Sequence, residues 1–318
     1  MGELSFADVE AARARIAGRV REVPVVRADD VVTETGSAEV FFALEFLQHT
    51  GTFKARGAQN FLLAHREAGT LTGAGVTIAS GGNAGLACAW AARELGVPAT
   101  VFLPANAPRV KVERLRGYGA EVRLVGAEYA EALAACTEFA ATTGALASHA
   151  YDHPFIAAGA GTVVLEIHRQ LPDLDAVVVA VGGGGLFAGV ATAARHYGVR
   201  TIAVEPENCR ALNAAVEAGH LVDVQLDSVA ADSLGARRAS DMALRAAQHE
   251  SVRSVLVSDA EIVRARQSLW DEYRLAVEHA AGAALAGVLS PTGYTPNDGE
   301  KVCVVLCGAN TNPVDLTA

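Results

Sequence analysis

From Ala176 to Ala194 the chain carries no charge, and a run of that length invites a membrane-spanning reading. Its interior argues otherwise. Val177–Val181 is followed by four consecutive glycines, Gly182–Gly185, and then by LFAGVATAA. A β-branched run, a glycine turn and a helical stretch make the opening of an α/β unit. The same alternation recurs along the chain. Apolar strands are expected near 39–44, 76–79, 98–103, 121–125, 176–181, 200–204, 253–257 and 301–307. Helical spacing falls near 6–18, 55–67, 84–95, 108–117, 128–142, 155–170, 186–197, 208–218, 259–273 and 279–289. Continuous apolar strands between helices imply parallel sheets covered on both faces. The expected fold class is therefore α/β, with two open, mostly parallel sheets flanked by helices. Residues 46–147 are expected to form a small α/β domain. SHAYDHP, 148–154, is the return connection into a large domain built from 1–45 and 148–318.

Composition removes other classes. With 51% hydrophobic and 19% charged residues in 318, the chain can bury a core and is not disordered. A net charge of −10 gives no electrostatic footprint for nucleic acid or anionic lipid. The N-terminal stretch reads as a charged amphipathic helix, not a signal peptide. Five cysteines, an odd number with no CxxC pair, argue against a disulfide framework or zinc site and point to a reducing cytoplasm.

Open α/β sheets bind ligands beyond the carboxyl ends of their strands. Four such ends stand out: SGGNAG at 80–85, GGGGL at 182–186, EPEN at 205–208 and CGAN at 307–310. A fifth feature is Lys54, one of only three lysines among 26 basic residues. Lysine can form a Schiff base where arginine cannot. Lys111 reads as part of a charged helix face and Lys301 as the opening of a strand. Lys54 lies in HTGTFKARGAQNF, and a solvated lysine at a helix start is the competing reading. Gly182–Gly185 before a helix suits a phosphate on backbone amides. Two ligands fit. Gly183-x-Gly185-x-x-Ala188, with Glu205 about 20 residues on, matches a dinucleotide fingerprint and an NAD-linked oxidoreductase. A single phosphate, such as that of pyridoxal phosphate, fits as well. SGGNAG could take a carboxylate, or its Ser80 or Asn83 could simply cap a helix. Cys307 is either a small buried hydrophobe or a weak hydrogen-bond partner for a ligand.

Taken together, these features resemble the fold type II pyridoxal-phosphate enzymes, whose architecture is that of the tryptophan synthase β subunit. Within them the chain looks most like the serine/threonine dehydratases. TGTFKARGA at 50–58 is similar to the family's lysine motif, and SGGNAGLACAWAARELGVPATVFLP to its asparagine loop. GGGGL matches its phosphate loop and LCGAN its ring-nitrogen strand. SVAADSLGARR at 228–238 and VEHAAGAALAGVLS at 277–290 follow in the family's order. The resemblance covers nearly the whole chain. It implies that Lys54 holds the cofactor through a Schiff base and that Gly182, Gly183, Gly184, Gly185 and Leu186 bind its phosphate. Asn83 would contact the phenolic oxygen, and Cys307 would face the pyridine nitrogen. Phe53 would lie on one ring face and Ser233–Gly235 near the other. Ser80, Gly81, Asn83 and Ala84 would take the substrate carboxylate. The implied reaction is β-elimination from L-serine or L-threonine, giving pyruvate or 2-oxobutanoate and ammonia. The implied partners are a small amino acid and a second copy of the chain in a homodimer.

Departures from the family pattern shape this expectation. Thr52 stands where Ser is usual, and Gly81 where dehydratases often have Ala and serine racemases have Ser. Glycine offers no acid opposite Lys54, which favours dehydration over racemisation. Glu278-His279 replaces Glu-Pro, and His279 reads as a helix-start residue. Glu205 matches a cation ligand, but Ala211 stands where divalent-binding members carry Asp, so a monovalent ion such as K⁺ is expected. No stretch after Thr317 is long enough for a C-terminal regulatory domain, which resembles the degradative dehydratases. The rival readings are another fold type II enzyme (a 3-hydroxyaspartate dehydratase, a serine racemase or a cysteine-forming synthase), the NAD-dependent oxidoreductase, and a cofactor-free binding protein.

Overall fold

The computed structural model describes residues 3–29, 31 and 38–317. In chain order the strands are β1 (Val25–Arg27), β2 (Glu39–Ala43), β3 (Val76–Ile78), β4 (Ala99–Leu103), β5 (Glu121–Leu124), β6 (Leu146–Ala147), β7 (Ala176–Ala180), β8 (Arg200–Pro206), β9 (Val252–Val257) and β10 (Lys301–Val305). The helices are α1 (Phe6–Ile16), α2 (Lys54–Glu67), α3 (Asn83–Leu95), α4 (Arg109–Gly117), α5 (Tyr129–Thr143), α6 (Pro154–Gln170), α7 (Gly185–His196), α8 (Ala211–Ala218), α9 (Ala231–Leu234), α10 (Asp241–Ala247), α11 (Asp259–Tyr273) and α12 (His279–Leu289).

Two sheets form, as expected. The larger has the order β1-β2-β10-β7-β8-β9 and the smaller β5-β4-β3-β6. Every pairing is parallel except that of β1 with β2. Strand β7 is buried at all five positions, AVVVA, because helices cover both its faces. Each strand foreseen from the apolar runs is present. Two were not foreseen. β1 is a three-residue edge strand with an exposed pattern, and β6 has only two residues, so neither shows a periodicity. The short helices α9 and α10 also escaped the pattern, and the helix expected over 208–218 begins at Ala211.

One close helix crossing, of α2 with α6, decides where the N-terminus of α2 points. A Cβ on Gly57 would lie 2.7 Å from the Ile156 carbonyl oxygen of α6, and one on Gly159 would lie 2.7 Å from the Arg56 carbonyl oxygen. Only two glycines facing each other let these backbones touch. Beside this contact Arg56 is fully buried and carries two carboxylates. Its Nε and Nη2 donate to Glu45 at 2.5 and 3.0 Å, and its Nη1 and Nη2 to Glu166 at 2.7 and 2.8 Å. Burial alone would lower the Arg56 pKa, but Glu45 and Glu166 hold it above its ordinary value. The guanidinium thus fixes α2 against α6 two residues after Lys54. Removing one member of a buried ion network strands the others, at about 3–5 kcal/mol. Arg56→Met is accordingly expected to lower the urea-denaturation free energy by about that amount, and Glu45→Met added to it to restore part of the loss.

Candidate active site

Lys54 reaches its place through an irregular turn. Thr50 adopts a left-handed φ of 63°, uncommon for a β-branched residue, and Gly51 follows at 75°. The turn is stitched to the end of β10: Thr52 bridges Gly308, and the Phe53 amide donates to the Cys307 carbonyl at 3.0 Å. Lys54 therefore opens α2 pointing into a cavity of about 250 Å³. The cavity lies where the carboxyl ends of β3, β7 and β10 meet. It is lined by the segments expected from sequence: Phe53 and Lys54; Ser80, Asn83 and Ala84; Gly182–Leu186; Ser233–Gly235; and Cys307. The Lys54 amine donates to the Ala150 carbonyl at 2.7 Å. Burial pulls its pKa down to about 8, against the upward pull of Glu278. Burial pushes the Cys307 thiol well up, so it is neutral. Lys54 is thus the enclosed amine and not the solvated one.

The two other glycine-rich turns act as open helix ends. Helix α7 has Gly184 as its N-cap, at φ 91°, with no side-chain cap. Helix α3 has Gly82 as its N-cap, also without one. The capping roles considered for Ser80 and Asn83 are therefore not found. First-turn amides have no acceptor within a helix, so both ends present donors to the cavity. Behind the first loop, a Cβ on Gly183 would fall 2.4 Å from the Tyr151 ring, so the loop and the aromatic can touch only because the residue is glycine. A Cβ on Gly82 would meet nothing within 4 Å. This set fits a phosphorylated aromatic aldehyde: backbone donors for the phosphate, an amine for the aldehyde, and a neutral thiol for a ring nitrogen.

Two expected residues lie elsewhere. Gly81 does not line the cavity, and a Cβ there would press on Leu103 at 2.8 Å. Glu205 is fully buried and away from the cavity; its carboxylate accepts the Leu212 and Asn213 amides, both at 2.7 Å. It caps α8, and so does not face the glycine loop as the dinucleotide reading requires. Burial pushes its pKa up to about 8. Among the described residues no group of three or more His, Cys, Asp and Glu could hold a metal.

Other residues join the cavity without having stood out. Glu278, 6% exposed, accepts from Asn83 Nδ2 on both carboxylate oxygens, at 3.1 Å (Oε1) and 3.0 Å (Oε2). Asn310 Nδ2 donates to Asn83 Oδ1 at 2.7 Å and to the Thr50 carbonyl at 2.8 Å. Burial raises the Glu278 pKa, while its bond from Asn83 lowers it. A signal existed: Glu278 is the lone acid heading an otherwise apolar helix. Lys111, read as part of an ordinary charged face, lines the cavity and pairs with Asp232 at 3.0 Å. With only three lysines and the α-amine, reductive ¹³C-methylation gives a simple NMR titration. In the cofactor-free protein one lysine resonance, identified by its loss in Lys54→Ala, is expected to titrate near pH 8, and Glu278→Gln to lower that midpoint, because the lost carboxylate raised it.

The chain is similar to known proteins over most of its length. The family model described as pyridoxal-phosphate dependent enzyme matches residues 16–308. An L-threonine ammonia-lyase of Geobacter sulfurreducens is 37% identical over 310 residues, covering 96% of this chain and 76% of its own. A human serine dehydratase-like protein is 38% identical over 290 residues, covering 88% and 87%. The solved structure of maize serine racemase superposes with a TM-score of 0.90 at 30% identity, covering 99% of this chain and 96% of that one. With a lysine, a glycine loop and a thiol meeting in one cavity and a family match over most of its length, the chain belongs to the fold type II pyridoxal-phosphate-dependent enzymes.

Proposed function

We propose that this enzyme is a serine/threonine dehydratase, converting L-serine to pyruvate and L-threonine to 2-oxobutanoate, each with release of ammonia. The observation that carries the reading is Lys54, an enclosed amine with a lowered pKa, in one cavity with two uncapped helix N-termini. The names of the threonine ammonia-lyase and serine dehydratase-like relatives support the same substrate class.

Pyridoxal phosphate, when bound, supplies an electron sink for the pair left at the substrate's α-carbon. The chain's residues do the rest. Gly182, Gly183, Gly184, Gly185 and Leu186 would hold its phosphate on backbone amides, and Lys54 would hold its aldehyde carbon. The Lys54 Nζ, once free, would be placed to take the substrate's α-proton. Asn83, braced by Glu278 and Asn310, orients the phenolic oxygen. Phe53 and Ser233–Gly235 confine the ring. Ser80, Asn83 and Ala84, at the start of α3, would take the substrate carboxylate, where the helix end favours negative charge. Cys307, a neutral thiol, would face the ring nitrogen and could not protonate it as an acid would, which would weaken the sink and favour departure of the β-hydroxyl. The hydroxyl would leave as water with the proton that Lys54 Nζ has taken and passes on, and a second water would replace the amine, released as ammonia.

The setting is proposed with it. Five free, buried cysteines suit a cytoplasmic enzyme. No helix among the described residues is long and apolar enough to cross a membrane. The chain works as a homodimer, as its resemblance implies. A monovalent cation such as K⁺ sits beside Glu205, where its charge would keep a buried carboxylate ionised. The division into domains, 46–147 against 1–45 with 148–318, is proposed because β3 to β6 all fall in the first interval.

Keto-acid and ammonia release from L-serine, L-threonine and 3-hydroxyaspartate tests the reading. Serine or threonine turnover is expected, and Lys54→Ala is expected to reduce it by at least about 10²–10⁴-fold, the usual worth of a positioned acid–base group. A chain that releases no ammonia from serine or threonine, with its cofactor bound, contradicts it.

A further inference from the structure

We infer that Arg266, which does not line the cavity, is a positioning residue that sets the place of Glu278. The inference rests on the reading of the site given above, in which Glu278 braces Asn83. Arg266 lies on α11 and is 4% exposed. Its Nε donates to the Val277 carbonyl at 2.7 Å. That is the peptide link into Glu278. The other edge of the guanidinium holds the tail that follows β10: Nη1 donates to Asp315 Oδ2 at 2.8 Å, and Nη2 to Thr311 Oγ1 at 3.0 Å and Asp315 Oδ1 at 3.3 Å. Helix α12 packs against this side chain so closely that a Cβ on Gly282 would lie 2.9 Å from the Arg266 Cβ.

One planar fork therefore ties together two segments that both enter the site. Residues 277–278 bring Glu278 to Asn83, and residues 308–311 bring Asn310 to the same side chain. The segments also bond directly, from the Glu278 amide to the Gly308 carbonyl at 3.0 Å. A guanidinium that only anchored the chain's end would find its partner in Asp315, which is half exposed. The bond to Val277 has no part in such anchoring. It fixes the φ/ψ approach of the acid that acts on Lys54.

The charged and titratable groups around this chain of contacts are few. Lys54, Cys307 and Asp232 face Glu278, with hydrogen bonds from Asn83 and the Asn310 backbone. Cys307, Glu278 and His149 face Lys54. Asp315 and His279 face Arg266, and Asp259 and Asp232 also act on His279. The Arg266 guanidinium bonds the carbonyl of Val277, so its link to Glu278 runs through the backbone.

The test is a double-mutant cycle on the holoenzyme, read as the pH midpoint of the lysine–cofactor visible band and as kcat. Glu278→Gln is expected to lower the midpoint. Arg266→Met is expected to move it in the same direction and to cut kcat roughly tenfold, as when an orienting partner of a functional group is lost. In the Glu278→Gln background Arg266→Met is expected to add no further shift. An unchanged midpoint in Arg266→Met, or an equal shift in both backgrounds, overturns the inference. If Arg266→Met does not fold, Arg266→Lys keeps a cation by Asp315, loses the fork to Val277, and is read in the same way. A Glu278→Gln variant with an unmoved midpoint sinks the reading of the site itself; one that moves while Arg266→Met does not sinks only the inference.

Discussion

An amine enclosed by protein has to be held against its own desolvation, and most of this structure can be understood as the means of holding Lys54. Burial costs the charged ammonium far more than the neutral amine, and the pKa of about 8 records that pull. What keeps the group in place is the frame around it. The Gly57–Gly159 contact brings α2 against α6, and Arg56 locks the pair through Glu45 and Glu166. The turn before α2 is bonded to the end of β10, so Lys54 and Cys307 are positioned by one piece of backbone. A buried ion network is a poor source of net stability, because desolvation offsets most of its attraction. Its value here is geometric. It fixes the direction of a helix whose first residue is the reactive one.

The second design principle is that anions are received by backbone and not by cations. The cavity's one lining lysine besides Lys54 is already paired with Asp232. Helices α3 and α7 instead present uncapped N-termini, each preceded by glycines. Such ends favour negative charge by their dipole and their unpaired amides. This lets a chain of net charge −10 accept a phosphate and a carboxylate in one cavity. It also leaves Lys54 as the free amine of the site, in an environment where a second cation would depress it further.

Much of this was legible in the sequence, because the informative residues sit in contiguous motifs. Apolar runs such as AVVVA announce buried parallel strands, and GGGG announces a turn that backbone must approach closely. Lys54 stood out through the scarcity of lysine. What could not be read were pairings across long separations. Glu278 meets Asn83 across 195 residues, and Asn310 across 227. Lys111 looks like one charge among several on α4 until the fold brings Asp232 to it. Glu205 shows the converse. Its spacing after the glycines fits a ribose ligand, yet burial and two amides make it the cap of α8. β1 and β6 lacked the length for any period to appear.

The central claim, that Lys54 is the anchor of the cofactor, has a direct chemical test. Borohydride reduction of the purified holoenzyme fixes a Schiff base permanently, and peptide mapping by mass spectrometry locates it among three lysines. The account predicts a phosphopyridoxyl adduct on the peptide carrying Lys54 alone. An adduct on Lys111 or Lys301, or none from protein that carries the cofactor, would contradict it.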